Sequence, residues 1–308
     1  MMWIRLFLLL ALLLPTAAMA ATTSVHQEGT WTLRTSTSAQ MTKDYFCASE
    51  GKFSKDFTMV LARNILGQTS LILNWPGYAG NVGSVAPLRI SVDKNSLRDV
   101  QATLKAPDML VVPLGWDDEA LNQLADAKQV TLASAKMNVR YDIKDSSKAF
   151  TRLNSCTASL IDRLPGIQGM SSGLNATLSK SGLSHAKLIQ VSDAKNGAEN
   201  FMIDGVFGGS VELAGDKGDV TQRMLEYVDQ LELLCRAKFS SELGAPTPVS
   251  GGEIATAEAK CDAAHTGTIT ALLFANDGGK PRVYYLEGDR DRLAQIRSLR
   301  DMIAKSLK

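Results

Sequence analysis

Four cysteines restrict how this chain of 308 residues can fold more than any other feature of its sequence. They are Cys47, Cys156, Cys235 and Cys261. In a protein exported to an oxidising compartment, an even number of cysteines predicts disulfide bonds, which tie distant segments together and so limit the possible topologies. The oxidation state of the cysteines depends on where the chain resides, and its first residues indicate that location.

Residues 1–20 have the parts of a cleavable secretory signal. Arg5 supplies one positive charge, the apolar run 6–14 follows it, and Ala18-Met19-Ala20 fits the small-x-small pattern of a cleavage site. The alternative is an uncleaved anchor, but a helix needs about 20 apolar residues to span a bilayer, and this run is much shorter. We therefore expect cleavage after Ala20 and a mature periplasmic chain without a transmembrane segment.

The four cysteines can pair in three ways. We favour Cys47 with Cys156 and Cys235 with Cys261, because each bond then lies within one of the two domains predicted below. A redox or metal-binding role is the alternative. It has little support, because metal sites need clustered ligands, and the sequence has no Cys-x-x-Cys and few histidines. We therefore expect neither a metal nor a cofactor.

The first half of the chain has a β pattern that gives way to a helical one. Short apolar runs are separated by turn residues such as Leu66-Gly67-Gln68. From residue 145 the apolar residues recur every three or four positions, which predicts an amphipathic helix over 145–164. Pro165-Gly166 ends this helix. Residues 165–186, which are rich in Gly and Ser, are predicted to form a linker between domains.

The second half repeats the order of strands followed by a helix. Asn276-Asp277-Gly278-Gly279 predicts a hairpin, because Gly accepts the positive φ that such turns need. The other predicted elements are strands at 187–191 and 201–213, helices at 221–239 and 253–262, and a last helix beginning near Asp289. The sequence thus predicts an α+β fold with two β-rich domains, residues 21–164 and 187–308. Each domain would have a closing amphipathic C-terminal helix and its own disulfide.

Three short motifs of the first half resemble a known family. They are Trp31, the strand Phe46-Cys47-Ala48 and the helix Ala149-Phe150-x-x-Leu153-x-x-Cys156. Over residues 29–164 the chain is similar to the small exported proteins of alphaproteobacteria related to invasion-associated locus B. The resemblance implies an envelope protein with β-structure, a late Phe-containing helix and no established enzymatic chemistry.

Two serines stand in motifs that serine hydrolases use. Gly169-Met170-Ser171-Ser172-Gly173 matches G-x-S-x-G, in which a strand–turn–helix elbow exposes the serine hydroxyl, and His265 follows it in the chain. Ser184 and Lys187 match S-x-x-K, which needs two further motifs to form an acylating site. Because Ser171 lies in the predicted linker and no Ser-Asp-Asn follows Ser184, we interpret both matches as chance.

Trp75 and Tyr78 are the remaining candidates for a binding site. They lie in the Gly-rich loop 75–82, where exposed aromatic rings can anchor a ligand or partner, although core packing is the more frequent fate of tryptophan. The net charge is +1 and no basic patch stands out, so we do not expect nucleic acid as a partner.

These observations favour a non-catalytic periplasmic protein that binds an envelope protein or a small ligand. Two alternatives remain. One is a periplasmic serine hydrolase that uses Ser171 or Ser184. The other is a component of an envelope or secretion assembly.

Overall fold

Strands form most of the structure, and they belong to two antiparallel sheets. This computed structural model describes residues 21–307 apart from 29–30, 38–45, 55–56, 77, 79, 94, 117, 136, 144, 190–197, 214–219, 236, 251, 263–266 and 278–279. The predicted signal and His265 therefore lie outside the described residues. The class is α+β, as predicted.

The first sheet contains ten strands in the order β1-β2-β3-β4-β5-β8-β7-β6-β9-β10. The strand bounds are β1 Ala21–Glu28, β2 Trp31–Thr37, β3 Phe46–Ser54, β4 Phe57–Asn64, β5 Thr69–Asn74, β6 Val85–Val92, β7 Asn95–Ala106, β8 Met109–Gly115, β9 Gln129–Ser134 and β10 Met137–Asp142. Helices α1 (Asp118–Asp126) and α2 (Ser146–Asp162) contact each other, and α2 packs against β2, β3 and β4.

Alternation of side chains along the strands builds the first core. In β4, Phe57, Met59 and Leu61 are buried while the residues between them are half-buried, as expected when successive side chains point to opposite faces. Helix α2 covers the buried face with the stripe that the sequence predicts, Phe150, Leu153, Thr157 and Leu160. The predicted helix over 145–164 is thereby confirmed within two residues at each end.

The second sheet follows the order β11-β12-β13-β18-β17-β16-β14, and β15 also pairs with β16. The strand bounds are β11 Lys187–Ile189, β12 Glu199–Ile203, β13 Val206–Glu212, β14 Lys238–Leu243, β15 Thr247–Val249, β16 Gly252–Asp262, β17 Thr268–Asp277 and β18 Lys280–Gly288. The remaining elements are the 3-10 helices Ile167–Gly169 and Arg290–Arg292, and the α-helices α3 Ser172–Lys180, α4 Val220–Leu234 and α5 Leu293–Ser306.

Helices cover both faces of the second sheet. On one face, Met224 and Val228 of α4 belong to a core with Leu272 and Phe274 of β17. On the other face, α3 and α5 form a core with Leu273 of β17 and its neighbours. Because residues 272 and 273 point to opposite faces, β17 is buried on both sides, which explains its nearly continuous apolar sequence.

Both predicted disulfides are confirmed. Cys47 of β3 bonds Cys156 of α2, and Cys235, directly after α4, bonds Cys261 of β16. Each bond joins a helix, or the residue that follows one, to a strand of the sheet that the helix covers. The two sheets are not wholly separate, because Ile189 and Met202 of the second sheet belong to the first core.

Residues 165–186, predicted to be a linker between domains, contain regular structure. This segment contains the 3-10 helix and α3, and it buries Ile167, Leu174, Leu178 and Leu183 in the core beneath α5. Most of the Gly and Ser residues are exposed, although Ser181 is buried. The Gly/Ser-rich composition therefore obscured the sparse apolar residues that pack with α5.

The predicted Ala-rich helix over 253–262 is also wrong, because these residues form β16. Ala255, Ala257 and Ala259 alternate along the strand on the side that faces α4, where small side chains let the helix approach closely. Tertiary burial here overrides the helix propensity of alanine. The helix predicted to reach residue 239 ends at Leu234, and Phe239 belongs to β14.

The predicted hairpin at residues 276–279 is supported by strand register, since Asp277 of β17 pairs with Lys280 of β18. The strand predicted at 201–213 is instead two strands joined by a tight turn at Asp204-Gly205. Both turn residues have positive φ, 49° and 76°, as a two-residue hairpin turn requires.

Candidate functional site

Ser171 lies at the start of α3, where it caps the helix. Its hydroxyl donates to Glu199 Oε2 at 2.5 Å and accepts from the Leu174 N–H at 3.4 Å, while its own N–H donates to Glu199 Oε1 at 2.6 Å. A nucleophile elbow holds its serine in a strained turn. Ser171 instead has the ordinary extended values φ −58° and ψ 155°. The hydrogen bonds and the backbone therefore favour a structural cap over a nucleophile.

Replacing Ser171 with alanine should lower the stability of the protein by about 1 kcal/mol, because the cap of α3 and a partner of Glu199 are lost. Thermal unfolding would measure the change. Ser172→Ala, one position into the same helix, is the control and should change stability by less than about 0.5 kcal/mol. Covalent labelling of Ser171 by a fluorophosphonate probe would contradict the capping role.

The other hydrolase candidates lie apart from any elbow. Ser184 is exposed in the turn that precedes β11, and Lys187 is the first residue of that strand. The neighbouring His185 places Nε2 3.2 Å from both carboxylate oxygens of Asp204, an exposed pair that fastens this turn to the β12–β13 turn. The hydrogen bonds of Ser171 and those of His185 thus run to different carboxylates.

Trp75 and Tyr78 pack against the first core with half-buried side chains. The ring of Trp75 meets Phe57 edge-on with a centroid separation of 6.0 Å. The backbone of the loop is fastened by the hydrogen bond from Trp75 N–H to the Asp108 carbonyl at 2.6 Å. Both rings therefore contribute to core packing, and their role in binding stays a prediction.

An open cavity of about 790 Å³ lies at one end of the first sheet. It is formed where β6 ends, where α1 leads into β9, and where β10 leads into α2. Its lining residues are Asp93, Ala125, Asp126, Ala127, Lys128, Gln129, Arg140, Asp142, Ile143, Asp145, Ser146 and Ser147. Ligand sites typically have volumes in this range.

Hydrogen bonds between the connecting segments hold the cavity wall in place. Asp93 Oδ1 accepts from the N–H groups of Lys128 and Gln129, both at 3.0 Å. Gln129 Nε2 donates to Asp142 Oδ1 at 2.8 Å, and the Ser146 hydroxyl donates to the Ala125 carbonyl at 2.8 Å. These bonds link all three connections, so the wall is built before any ligand binds.

The cavity presents both signs of charge above small and apolar side chains. Four aspartates contribute carboxylates, and Lys128 and Arg140 contribute cations. Asp145 precedes α2 with a positive φ of 60°, and its side chain makes no capping hydrogen bond to the helix. Its exposed carboxylate therefore does not cap the helix.

Among the described side chains of the second sheet, Glu258 of β16 is the most buried charged group, with 6% of it exposed. Its carboxylate accepts two hydrogen bonds from Arg297 of α5, at 2.6 and 2.7 Å, and one from Arg300 at 3.3 Å. The hydrogen bonds from Arg297 and the neighbouring positive charges lower the pKa of Glu258. These three hydrogen bonds all come from α5, so the cluster fastens this helix to the sheet, which indicates a structural role.

Replacing Glu258 with glutamine should lower the free energy of unfolding at neutral pH by about 1–3 kcal/mol, because Arg297 and the largely buried Arg300 lose their countercharge. Since the folded pKa is below the ordinary value of 4.5, the contribution of Glu258 is complete above that pH and is lost as pH falls through the lowered pKa. Urea unfolding at pH 7 and pH 3.5 would measure both effects. Glu253→Gln, an exposed site on the same strand, is the control, and an equal loss there would contradict the prediction.

Two half-buried tyrosines lie on the opposite face of the second sheet, Tyr285 on β18 and Tyr227 on α4. The hydroxyl of Tyr285 donates to Asn200 Oδ1, and desolvation raises the pKa of Tyr285 and of Tyr227. Their packing between the sheet and α4 indicates a structural role.

Within the described part of the chain, no three His, Cys, Asp or Glu side chains are grouped so that they could hold a metal ion. Among the same residues, no helix is both long enough and apolar enough to cross a bilayer.

Sequence reasoning missed the cavity because its lining residues come from connections that lie far apart in the chain. One available signal was the recurrence of aspartate where strands and helices end, at Asp93, Asp126 and Asp142. That pattern is also common in ordinary turns, since aspartate side chains bond nearby backbone groups. The folding of the sheet is what brings these aspartates to one end.

No protein-family model and no curated protein matches the chain. Two solved structures show low similarity. The solution structure of cyanobacterial PsbP (CyanoP) from Synechocystis sp. PCC 6803 is 18% identical, covers 39% of this chain and 79% of its own, and has a TM-score of 0.32. The crystal structure of DynU16, from the dynemicin biosynthetic locus, is 9% identical, covers 94% of this chain and 85% of its own, and has a TM-score of 0.18. At these scores neither structure assigns a function.

Proposed function

We propose that this protein is an exported, non-catalytic binding or accessory protein of the bacterial envelope, and that its ligand or partner docks at the cavity beside Lys128 and Arg140. The observation that carries the proposal is the cavity itself. It is open, large enough for a small ligand or a peptide segment, and braced by hydrogen bonds. Its mixed charges suit a polar or zwitterionic group.

The disulfides support the exported location. Both pairs of cysteines are bonded, and disulfides persist in oxidising compartments and are rare in the cytosol. The leader over residues 1–20 supplies the route, with cleavage after Ala20. We also propose that the chain forms two domains. Residues 21–164 form the first, which helix α2 closes. Residues 187–308 form the second, which helix α5 closes and to which residues 165–186 also belong.

The residues that resemble the proteins of the invasion-associated locus B type support membership in that group. Trp31 packs edge-on against Phe150 with ring centroids 5.4 Å apart, and Cys47 bonds Cys156. The three motifs therefore meet at one place in the first core, although the helix motif lies more than 100 residues after the other two. Contact between the three motifs is expected if the members of a family share these residues because they pack together.

Site-specific crosslinking tests the binding proposal. A photoreactive benzoylphenylalanine in place of Ser147, at the mouth of the cavity, should form an adduct when envelopes are irradiated, because a bound ligand or partner lies against it. Intact-mass spectrometry would identify the adduct. A protein adduct would favour the envelope or secretion assembly, and a small-molecule adduct would favour ligand binding.

The matched control places the same photoreactive residue at Ala158, an exposed position on the same helix outside the cavity. Adducts that form equally at Ala158 and Ser147, or at neither position, would contradict docking at the cavity. Turnover of an ester, peptide or glycan substrate that a single point mutation abolishes would instead favour an enzyme.

A further inference from the structure

Strand β14 (Lys238–Leu243) is an edge strand. Among the described residues, it ends the strand order of the second sheet and pairs with β16 alone, which leaves its other side open. Five of its six residues are exposed. An edge strand with unpaired backbone groups is a template for pairing with another strand.

The register of β14 on β16 divides its side chains between the two faces of the sheet. Phe239 and Leu243 lie opposite Cys261 and Ala257, on the face that α4 covers. Lys238 and Glu242 lie on the face of Glu258, which α5 covers. The edge therefore has one apolar and one charged side.

An exposed leucine lies on the apolar side of this edge. Leu243 of β14 is 42% exposed, on the face that α4 covers. A large exposed apolar side chain on an open sheet edge is compatible with strand addition.

The charges on β14 are complementary to those of a second, antiparallel copy of the same strand. When two copies of β14 are aligned antiparallel about Ser240, Lys238 of each copy lies opposite Glu242 of the other. The same register places the exposed Ala237 opposite Leu243 on the apolar side. Opposite charges that face each other across strands stabilise a pair, whereas like charges destabilise it.

We propose that β14 pairs with β14 of a second copy of this chain, joining two eight-stranded sheets across a two-fold axis. The contact is isologous, so each Lys–Glu pair occurs twice. The dimer covers the open edge and Leu243. It is independent of the cavity in the first sheet, so it can form whether or not the proposed binding function is correct.

Charge reversal tests this register. The oxidised chain should sediment as a monomer–dimer equilibrium in analytical ultracentrifugation. Lys238→Glu and Glu242→Lys, as separate variants, should each raise the dimer dissociation constant by on the order of tenfold or more, because both charge pairs become repulsive. An equimolar mixture of the two variants should form heterodimers, because both pairs are then attractive.

Lys180→Glu, on the exposed end of α3, serves as the control and should leave the dissociation constant unchanged. Melting temperatures of the single variants would be measured alongside, because Glu242 also lies near Arg297. A wild-type chain that stays monomeric throughout the micromolar range would overturn the proposal. So would a dimer that neither reversal weakens, or variants whose mixture fails to associate.

Discussion

A variant without the Cys47–Cys156 disulfide, Cys47→Ala combined with Cys156→Ala, is expected to lose about 4–5 kcal/mol of its free energy of unfolding. The bond closes a segment of 109 residues, and the chain-entropy model assigns about 4.7 kcal/mol to a loop of that size. Since a domain is stable by only about 5–15 kcal/mol, much of the first sheet should be unfolded at 37 °C. Urea denaturation followed by far-ultraviolet circular dichroism would measure the loss.

The second disulfide supplies the matched comparison for this prediction. Cys235 and Cys261 are separated by 26 positions, so their removal should cost about 3–3.5 kcal/mol. Both double variants replace two cysteines with alanine in the same protein. The difference between their losses of unfolding free energy therefore reflects the difference in loop length and the burial of Cys47. A larger loss from the Cys235–Cys261 variant would contradict the entropic account.

Trp31→Ala is expected to lower the free energy of unfolding by about 3–5 kcal/mol, comparable to the loss of the first disulfide. Trp31 is fully buried, and its ring lies edge-on to Phe53 and to Phe150 at 5.4 Å each. Removing it leaves a cavity between β2, β3 and α2, because the tightly packed surroundings can collapse only in part. Chemical denaturation with a tyrosine or circular dichroism signal would report the change.

A Cβ on Gly51, the cross-strand partner of Trp31, would lie 2.6 Å from the Phe53 ring and 3.1 Å from the Trp31 ring, so these two rings pack closely over the glycine. Trp31→Phe, which keeps part of the ring contact, should cost clearly less than the alanine variant. Phe46→Ala removes an aromatic ring that is 37% exposed on the neighbouring strand and is the matched control. If Trp31→Ala were no more destabilising than Phe46→Ala, this packing argument would be wrong.

Local patterns predicted the features whose cause lies within a short stretch of chain. The stripe of α2 recurs every three or four residues, and the hairpin between β17 and β18 follows from Gly278-Gly279. The cysteine pairing was predicted from the expected division into halves and is confirmed. In each case the preference of the residues and the final structure agree.

Predictions were wrong where burial by distant elements overrides the local preference. Alanines in β16 favour a helix in isolation but face α4 as small strand residues. Leu174 and Leu178 are sparse among Gly and Ser, and they become core residues because α5 packs over them. Ser171 matched a catalytic motif, yet Glu199, 28 positions away, engages its hydroxyl as part of a helix cap.

Residue order alone was enough to predict the α+β class and the helix that carries Cys156, because periodicity acts within short segments. It also predicted the two disulfides, because the expected division into halves left one pairing in which each bond lies within one half. Tertiary structure was needed to create the cavity, the Glu258 cluster and the open edge of β14. These features depend on which strands become neighbours, and that is determined by the burial of apolar surface over the whole chain, a property that no short segment contains.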